Sequence, residues 1–182
     1  MKYFEKIPGE KIYLSPINED DYEKYCIWLN DAFIGSFADT VSKSFTIESQ
    51  KNSLRQMARD GNAFAIIVRD TDEMIGDCTV VNIDNISRTA ELGILIGNKE
   101  NWNKGYGSEA LGLLTKYVFE VLNLNSVMGR IFSFNVGSIK ICEKNGYTQC
   151  GLRHEAYYYN GKYYDEIYME LLRSTYYKGV AT

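Results

Sequence analysis

The sequence predicts an α+β domain in which helices pack on a mixed sheet. Strand-like and helix-like segments follow one another in the order β-α-α-β-β-β-α-β-α-β-β, so neither type dominates. The chain has 182 residues, of which 45% are hydrophobic and 24% are charged, as in globular domains with one core. No internal repeat, low-complexity segment or Pro-rich linker divides the chain. We therefore expect residues 1–182 to form a single domain.

The first third of the chain is expected to contain one strand and two helices. Lys11–Ile17 alternates in polarity and contains β-branched residues, which predicts a strand. The polar residues 18–20 then cap a helix that reaches about residue 30. Phe33–Phe45 is rich in aromatic, Gly and Ser residues and is expected to be a loop. A second helix is predicted at Ile47–Arg59, before an Asp-Gly stop.

The middle of the chain predicts three consecutive strands. Ala63–Arg69 is a short apolar run, which is typical of a buried strand. A polar turn joins it to Met74–Ile83, so that the two strands form a hairpin. A second turn at Asn85–Arg88 leads into a fourth strand at Ala90–Gly97.

The last part of the chain predicts two helices, a strand between them and a final hairpin. Apolar residues at helical spacing predict a long amphipathic helix at Gly105–Asn123. A strand follows at Val127–Phe134, and a helix at Val136–Asn145. The dipeptide Asn160-Gly161 is a strong signal for a tight turn, which predicts a hairpin over residues 151–172.

Composition excludes several classes of protein. The net charge is −4 and no basic stripe is present, so nucleic acid is not expected as the main partner. The chain has one histidine, His154, and its four cysteines do not cluster, so no metal site is expected. The N-terminal segment is charged, and no apolar run approaches the ~18 residues of a membrane span. We therefore expect a cytoplasmic protein without a membrane partner.

The segment Trp102–Ala110 is the part of the sequence that most strongly indicates a ligand. Gly105 and Gly107 alternate where the long helix begins, and they let a ligand approach the backbone closely. The N–H groups of the first helical turn and the helix dipole then favour an anion such as a diphosphate. The alternative interpretation is a tight turn that needs glycine and binds nothing.

Two other phosphate motifs fit this segment less well. The pattern Gly-x-x-x-x-Gly-Lys-Ser/Thr of a P-loop is absent from the chain. Gly105–Ala110 does match the dinucleotide pattern Gly-x-Gly-x-x-Ala, but a polar stretch separates it from the preceding strand. The next strand also ends at Phe132–Asn135 without the acid that would bind a ribose. A nicotinamide-dependent oxidoreductase is therefore disfavoured.

Three successive segments resemble the motifs of the GNAT N-acetyltransferase superfamily. They are Ala90–Gly97, Trp102–Ala110 and Asn135–Tyr147. The chain is most similar to the branch that contains ribosomal-protein N-terminal acetyltransferases and spermidine N-acetyltransferases. His154-Glu155, the Asn160-Gly161 turn and Asp165 also resemble that branch. The resemblance covers about residues 10–172, and it implies a GNAT-like mixed twisted sheet of about seven strands with helices on both faces.

The resemblance implies that acetyl-CoA is the cosubstrate and lies between the fourth and fifth predicted strands. Main-chain groups of Leu95 and Ile96 are then expected to hold its pantetheine and acetyl end. The diphosphate is assigned to the loop at the helix start: Trp102, Asn103, Lys104, Gly105, Tyr106, Gly107 and Ser108. Asn135 and Lys144 match positions near the pantetheine and the 3′-phosphate. A helix cap and a solvated charge are the alternative roles of these two residues.

Acetyl transfer needs a neutral amine, so the resemblance directs attention to acids and bases. Glu91 lies within an apolar strand and matches the glutamate that acts as the base in the histone-lysine branch. Its alternative roles are a structural carboxylate bonded to the last hairpin or a side chain in solvent. Cys142 stands where many relatives have a tyrosine acid. It is either a proton donor to the leaving thiolate or a small core residue.

The amine acceptor is expected to meet aromatic side chains. Phe33 and Phe37 in the predicted loop, and Tyr157 and Tyr159 in the last hairpin, can bind a cationic group through their ring faces. Cross-strand packing is the alternative role of the tyrosines. A polyamine or other small amine and a protein N-terminus are the leading acceptors, with an amino sugar behind them. A non-catalytic acyl-CoA sensor is the second function considered, and exposed tyrosines make a homodimer plausible.

Overall fold

The computed structural model describes residues 2–180. Within that range it contains eight strands and six α-helices, which confirms the predicted α+β class. The strands are β1 (Ile7–Pro8), β2 (Ile12–Pro16), β3 (Ala63–Val68), β4 (Glu73–Asp84), β5 (Thr89–Ile96), β6 (Ser126–Phe132), β7 (Thr148–Tyr159) and β8 (Lys162–Leu172). The helices are α1 (Tyr22–Asn30), α2 (Ala32–Phe37), α3 (Ile47–Asp60), α4 (Tyr106–Glu120), α5 (Val136–Lys144) and α6 (Arg173–Val180).

The strands form one mixed sheet in the order β1-β2-β3-β4-β5-β6-β8-β7. The pairs β1–β2, β2–β3, β3–β4, β6–β8 and β7–β8 are antiparallel, whereas β5 and β6 are parallel. The parallel register runs from Thr89–Ser126 to Glu91–Met128 and, among the residues described, goes no further. β5 therefore continues beyond the end of its pairing with β6.

The structure corrects three details of the predicted elements. The two-residue strand β1 raises the number of strands from about seven to eight, and the C-terminal helix α6 was not predicted. The segment expected as a loop from residue 33 begins with helix α2. This helix forms because the Asp31 carboxylate accepts hydrogen bonds from the N–H groups of Phe33 and Ile34, both at 2.9 Å. The same bonds lower the pKa of Asp31.

The chain folds as two compact units, of which the first comprises Met1–Thr79 and Ile94–Leu113. Its core is built from aromatic and aliphatic side chains of α1, α3, β2, β3 and β4, including Tyr25, Trp28, Leu54, Ile67 and Met74. The Trp28 ring packs on Gly97, where an added Cβ would come within 1.9 Å of it. The Trp28 indole N–H also donates to the Asn98 side chain at 2.8 Å. These contacts fix the chain just after β5.

The second unit comprises Val80–Gly93 and Leu114–Thr182. Leu114, Val118 and Phe119 from the second half of α4 are buried in its core, together with side chains of β6 and β8. The hairpin of β7 and β8 turns at Asn160 and Gly161, whose φ angles are 52° and 78°. Two successive positive φ angles are what a type I′ turn requires, so the predicted hairpin is confirmed.

Asp77 of β4 is a buried carboxyl group in the first unit. It lies opposite Ala65 of β3 and is 7% exposed. Burial raises the pKa of Asp77 to about 7, although the neighbouring Tyr25 hydroxyl favours the carboxylate. Burial, followed by the charge of Asp77, also raises the pKa of Tyr25 well above its usual value. The folded chain therefore holds this proton more tightly than the unfolded chain does.

The raised pKa of Asp77 predicts that stability falls as the pH rises. An Asp side chain in the unfolded chain has a pKa of about 3.9. Between about pH 4 and pH 7 the folded state therefore keeps a proton that the unfolded state has released. The free energy of unfolding falls by about 4 kcal/mol over this range. We expect Asp77→Asn, which introduces a neutral side chain, to raise the free energy of unfolding by roughly 2 kcal/mol near pH 8. The gain is only part of the cost of the carboxyl group, because burying the amide also costs free energy. Near pH 4 the gain should disappear. Urea denaturation at both pH values measures this.

The exposed Asp70→Asn is the control for that measurement, because it removes a carboxylate from the turn after β3 without changing a buried group. Its stability should follow that of the native protein at both pH values. A gain for Asp77→Asn that is equal at acid and alkaline pH would show that ionisation of Asp77 is not its cause.

Candidate active site

The loop before α4 has left-handed backbone at two positions, of which Gly105 is one of the two glycines that the sequence singled out, whereas Gly107 lies within the helix. A short 3-10 turn at Lys99–Asn101 precedes it, and Asn103 and Gly105 have φ angles of 59° and 91°. The N–H of Glu109 donates to the Gly105 carbonyl at 3.0 Å, which marks the start of the helical ladder. The main-chain N–H groups of the first turn, at Tyr106 and Gly107, precede that bond and are directed beyond the helix start. This geometry favours an anionic ligand.

Trp102 joins this loop to the aromatic residues of α2. Its ring stacks on Phe33 at a centroid distance of 5.9 Å and meets the edge of Phe37 at 5.7 Å. Phe33 and Phe37 are in edge contact at 5.1 Å. The Lys99 ammonium lies over the Phe33 ring, 4.3 Å from its centroid. A residue predicted to contact the cofactor and two predicted to contact the acceptor therefore form one aromatic cluster.

Leu95 and Ile96 lie at the end of β5, and both of their carbonyl oxygens have contacts within the protein. The Trp102 indole N–H donates to the Ile96 carbonyl at 2.9 Å. The Leu95 carbonyl lies against Gly76 of β4, where a Cβ would come within 1.9 Å of it. Gly76 is thus required for the close approach of the chain at this point, and Trp102 orients the end of β5.

A clamp that the sequence did not reveal holds the turn between β1 and β2 against the first turn of α4. Oε1 of Glu109 accepts the main-chain N–H groups of Glu10 at 2.5 Å, Lys11 at 3.0 Å and Ile12 at 3.4 Å. Gly9 allows this approach, because a Cβ there would lie 2.6 Å from Glu109 and 2.5 Å from the Ile12 carbonyl. The Lys11 ammonium lies 3.5 Å from the Lys104 carbonyl in the predicted diphosphate loop.

In the second unit, Glu91 is the predicted base. It is mostly buried, with a side chain that is 15% exposed. Its Oε1 accepts from Arg130 Nε at 2.7 Å and its Oε2 accepts from the Asn82 amide at 3.0 Å. The hydrogen bond with Glu91 raises the pKa of Arg130. A carboxylate oxygen can accept more than one hydrogen bond, so each oxygen of Glu91 retains the capacity to accept from a water molecule.

Arg130 links Glu91 to a second carboxylate. Glu166 of β8 is buried, and its Oε1 lies 3.4 Å from Nη1 of Arg130. The Tyr168 hydroxyl donates to Glu166 Oε2 at 2.6 Å, and the Arg153 guanidinium is 3.8 Å from the same oxygen. Glu91 thus belongs to a charged network that reaches β8 through Arg130, which favours a structural carboxylate over a side chain in solvent among its alternative roles.

Cys142 and Lys144 lie in α5, and Asn135 immediately precedes this helix. Asn135 is the N-cap, since its side-chain oxygen accepts the Ser138 N–H at 3.2 Å. Lys144 is exposed in the last turn, where its charge complements the helix dipole. Cys142 is buried, and burial, with a smaller effect from Glu143, raises the pKa of its thiol to about 12. This environment favours the core interpretation of Cys142 over the predicted acid.

Tyr157 and Tyr159 are half-buried in an aromatic row. Tyr157 stacks on Phe132 with a centroid distance of 3.8 Å and an interplanar angle of 12°. Phe134 lies 6.0 Å from Tyr157, 5.9 Å from Tyr159 and 4.7 Å from Tyr164. The tyrosines therefore pack across strands, as the alternative interpretation expected, and they retain partly exposed rings.

Residues 2–180 contain neither a cluster of metal ligands nor a helix suited to crossing a membrane. No group of three or more His, Cys, Asp or Glu side chains in residues 2–180 is placed to hold a metal ion. Over the same residues, no helix combines the length and the apolar character that crossing a membrane requires.

Comparison with known proteins agrees with this fold. Residues 11–148 match the acetyltransferase (GNAT) domain family. An uncharacterised N-acetyltransferase named p20, from Bacillus licheniformis, is 30% identical over 178 residues, which cover 94% of this chain and 98% of that protein. The spermidine N-acetyltransferase from Vibrio cholerae, solved in complex with CoA and spermine, superimposes with a TM-score of 0.83 at 22% identity, covering 93% and 99% of the two chains.

A ribosomal L7/L12 alpha-N-protein acetyltransferase in complex with coenzyme A superimposes with a TM-score of 0.78 at 19% identity, covering 91% of this chain and 97% of that one. The family match and the p20 relative define the class of protein as an acetyl-CoA-dependent N-acetyltransferase. The chain belongs to the GNAT acetyltransferase family. The resemblance predicted from the sequence is thereby confirmed.

Proposed function

We propose that the chain is one catalytic domain, with its core at about residues 10–172, that transfers an acetyl group from acetyl-CoA to a primary amine. The observation that carries this proposal is the loop at Asn103–Ser108, whose left-handed Asn103 and Gly105 lead into the N–H groups of α4. In this proposal the loop binds the diphosphate of acetyl-CoA. Main-chain groups at Leu95 and Ile96, with Asn135, hold the pantetheine, and Lys144 lies toward the 3′-phosphate.

The proposed reaction is direct attack through a tetrahedral intermediate. The amine nitrogen attacks the thioester carbonyl carbon, a C–N bond forms, and the C–S bond then breaks. An alkyl ammonium with a pKa of about 10.4 is neutral to the extent of only about four parts in ten thousand at pH 7, so a base is needed. Glu91 takes that proton through a water molecule that uses the remaining acceptor capacity of its carboxylate. Arg130 and Asn82 keep the carboxylate oriented.

The leaving thiolate takes its proton from water in this proposal, because the Cys142 thiol holds its own proton too tightly. With the pKa of Cys142 at about 12, transfer to a thiolate whose conjugate acid has a pKa near ~8.5 is uphill by roughly 5 kcal/mol. We therefore expect Cys142→Ala to change kcat by less than about threefold, with a loss of stability of about 1 kcal/mol from the small cavity.

Steady-state rates across the pH range measure the effect of Cys142→Ala. The exposed Cys150→Ala is the matched control for a lost thiol. A fall in kcat of tenfold or more, in a variant that remains folded and binds acetyl-CoA, would show that the buried thiol does act in the reaction.

The acceptor is proposed to be a small cationic amine or a protein N-terminus. The solved neighbours include an acetyltransferase bound to spermine and one that acts on a ribosomal protein. Phe33, Phe37, Tyr157 and Tyr159 are the aromatic side chains proposed to contact such a group. An assay with a panel of acceptors can distinguish between these two classes.

The test is acceptor-dependent release of free thiol from acetyl-CoA. The panel comprises spermidine, an amino sugar, an aminoglycoside and short peptides with free N-termini, with N-terminally blocked peptides as the control. Thiol release with an amine and not with its blocked form supports the enzyme. Tight binding of acetyl-CoA with no release from any acceptor would instead identify an acyl-CoA sensor, an interpretation that the buried Cys142 leaves open.

A further inference from the structure

The turn between β1 and β2 is held rigidly from two sides. On one side, Glu109 of α4 accepts three successive main-chain N–H groups, two from the turn at residues 10 and 11 and one from Ile12 at the start of β2. On the other side, the Arg69 guanidinium donates to the Gly9 carbonyl at 2.9 and 3.2 Å. The Arg69 N–H also donates to the Lys11 carbonyl at 2.9 Å. The main chain at Lys11 is thus held by contacts from α4 and from Arg69, the residue that follows β3.

The side chain that this turn presents is directed at the glycine loop. The Lys11 ammonium lies 3.5 Å from the Lys104 carbonyl. It is also the nearest atom, at 3.7 Å, to the position that a Cβ at Gly105 would take. Lys104 adds a second ammonium to the same loop, 3.5 Å from the Asn101 side chain. The Glu109 carboxylate also lies at this turn, where it accepts the Lys11 main-chain N–H at 3.0 Å.

Glu109 has two opposing effects on an anion at this loop. A carboxylate in the first turn of a helix repels a phosphate that would bind there. However, the three N–H groups that it accepts hold the turn that brings the Lys11 ammonium to Gly105. A lysine on a turn that is already held in place contributes more to binding than the same lysine on a mobile turn, because less backbone freedom is lost on binding.

We infer that Lys11 is a phosphate-binding residue of the acetyl-CoA site and that Glu109 is its positioning residue. Lys11 contacts the diphosphate of the ligand from the β1–β2 turn, opposite the N–H groups of α4. Glu109 acts through the turn and does not contact the ligand. This inference rests on the proposed function, since it deepens the diphosphate site at Asn103–Ser108.

The test compares ligands that differ in their phosphates. Lys11→Met keeps the length of the side chain and removes its charge. It should weaken acetyl-CoA and acetyl-dephospho-CoA alike by about three- to tenfold, leave acetyl-pantetheine unaffected, and lower the dependence of affinity on salt. Lys11→Arg should retain native affinity. The exposed Lys6→Met is the matched control and should change nothing. Isothermal titration, with competition for the weak ligand, measures each affinity.

Glu109→Ala separates positioning from charge by the sign of its effect. If Glu109 positions Lys11, its removal should weaken acetyl-CoA binding by about two- to fivefold in the native background. In the Lys11→Met background, the same change should have no effect or should tighten binding. Thermal unfolding confirms that each variant is folded. Tightening in both backgrounds would overturn the role of Glu109, because a carboxylate that only repels the ligand would give that result.

The inference and the proposed function fail in different ways. If the native protein does not bind acetyl-CoA, the proposed function is wrong. If the native protein binds it and Lys11→Met behaves like Lys6→Met, or weakens acetyl-pantetheine as much as acetyl-CoA, only the assignment of Lys11 is wrong.

Discussion

Glu91→Gln is expected to lower kcat for acetyl transfer near pH 7 by roughly 10²- to 10³-fold, with acetyl-CoA affinity unchanged. Glutamine has the same shape and keeps an oxygen for Arg130, which donates to Glu91 at 2.7 Å, but it cannot take a proton. The loss of kcat should become smaller as the pH rises, because each increase of one pH unit makes about ten times more of the acceptor neutral without a base. Initial rates across the pH range, with titration of acetyl-CoA, measure both quantities.

Glu166→Gln is the matched control for this experiment. Glu166 is a buried carboxylate that contacts the same arginine, at 3.4 Å, so its loss perturbs the charged network without removing the proposed base. We expect a smaller loss of rate for Glu166→Gln, with no relief at alkaline pH. If the two variants lose activity equally and with the same pH dependence, Glu91 is a structural carboxylate and the proton is removed by another group.

Most of the fold was predictable because its signals are local. Helix α3 was expected at residues 47–59 and lies at Ile47–Asp60, since a capping box of Thr46 and Ser49 begins it and the left-handed Gly61 ends it. Helix α2 was missed because Phe, Ile, Gly and Ser in a short segment resemble a loop. Its six residues are stabilised by the Asp31 cap, which is a local interaction, and by the burial of Ile34, which depends on tertiary packing.

The candidate site also contains local features that the sequence predicts and long-range contacts that it does not. The glycine loop lies within one short segment of the chain, so its dihedral requirements could be inferred from residue type alone. The clamp at Glu109 joins groups that are 97 to 99 residues apart, and the ion pair of Glu91 with Arg130 joins groups 39 residues apart. No periodicity specifies such contacts. Cys142 could be recognised as a departure from a tyrosine, but the burial that raises its pKa exists only in the folded chain.

Gly105→Val is expected to weaken acetyl-CoA binding by about 30-fold or more while the chain still folds. The φ angle at Gly105 is 91°, a conformation that a β-branched residue adopts only with strain of about 1–3 kcal/mol. Little within the protein opposes the new side chain, since the nearest atom to its Cβ would be the Lys11 ammonium at 3.7 Å. The added methyl groups would occupy the space in front of the α4 N–H groups. Isothermal titration with acetyl-CoA measures the loss.

Gly61→Val is the control that separates the effect of backbone strain from the effect of losing the ligand site. Gly61 has a φ angle of 71° and no atom within 4 Å of its Cβ position, so valine is strained there by the same mechanism. It lies at the C-terminal cap of α3 and belongs to no proposed contact with the ligand. Both variants should therefore lose similar stability in urea, whereas only Gly105→Val should lose affinity. If Gly105→Val binds acetyl-CoA as Gly61→Val does, the glycine loop does not hold the diphosphate, and the proposed binding mode loses its main support.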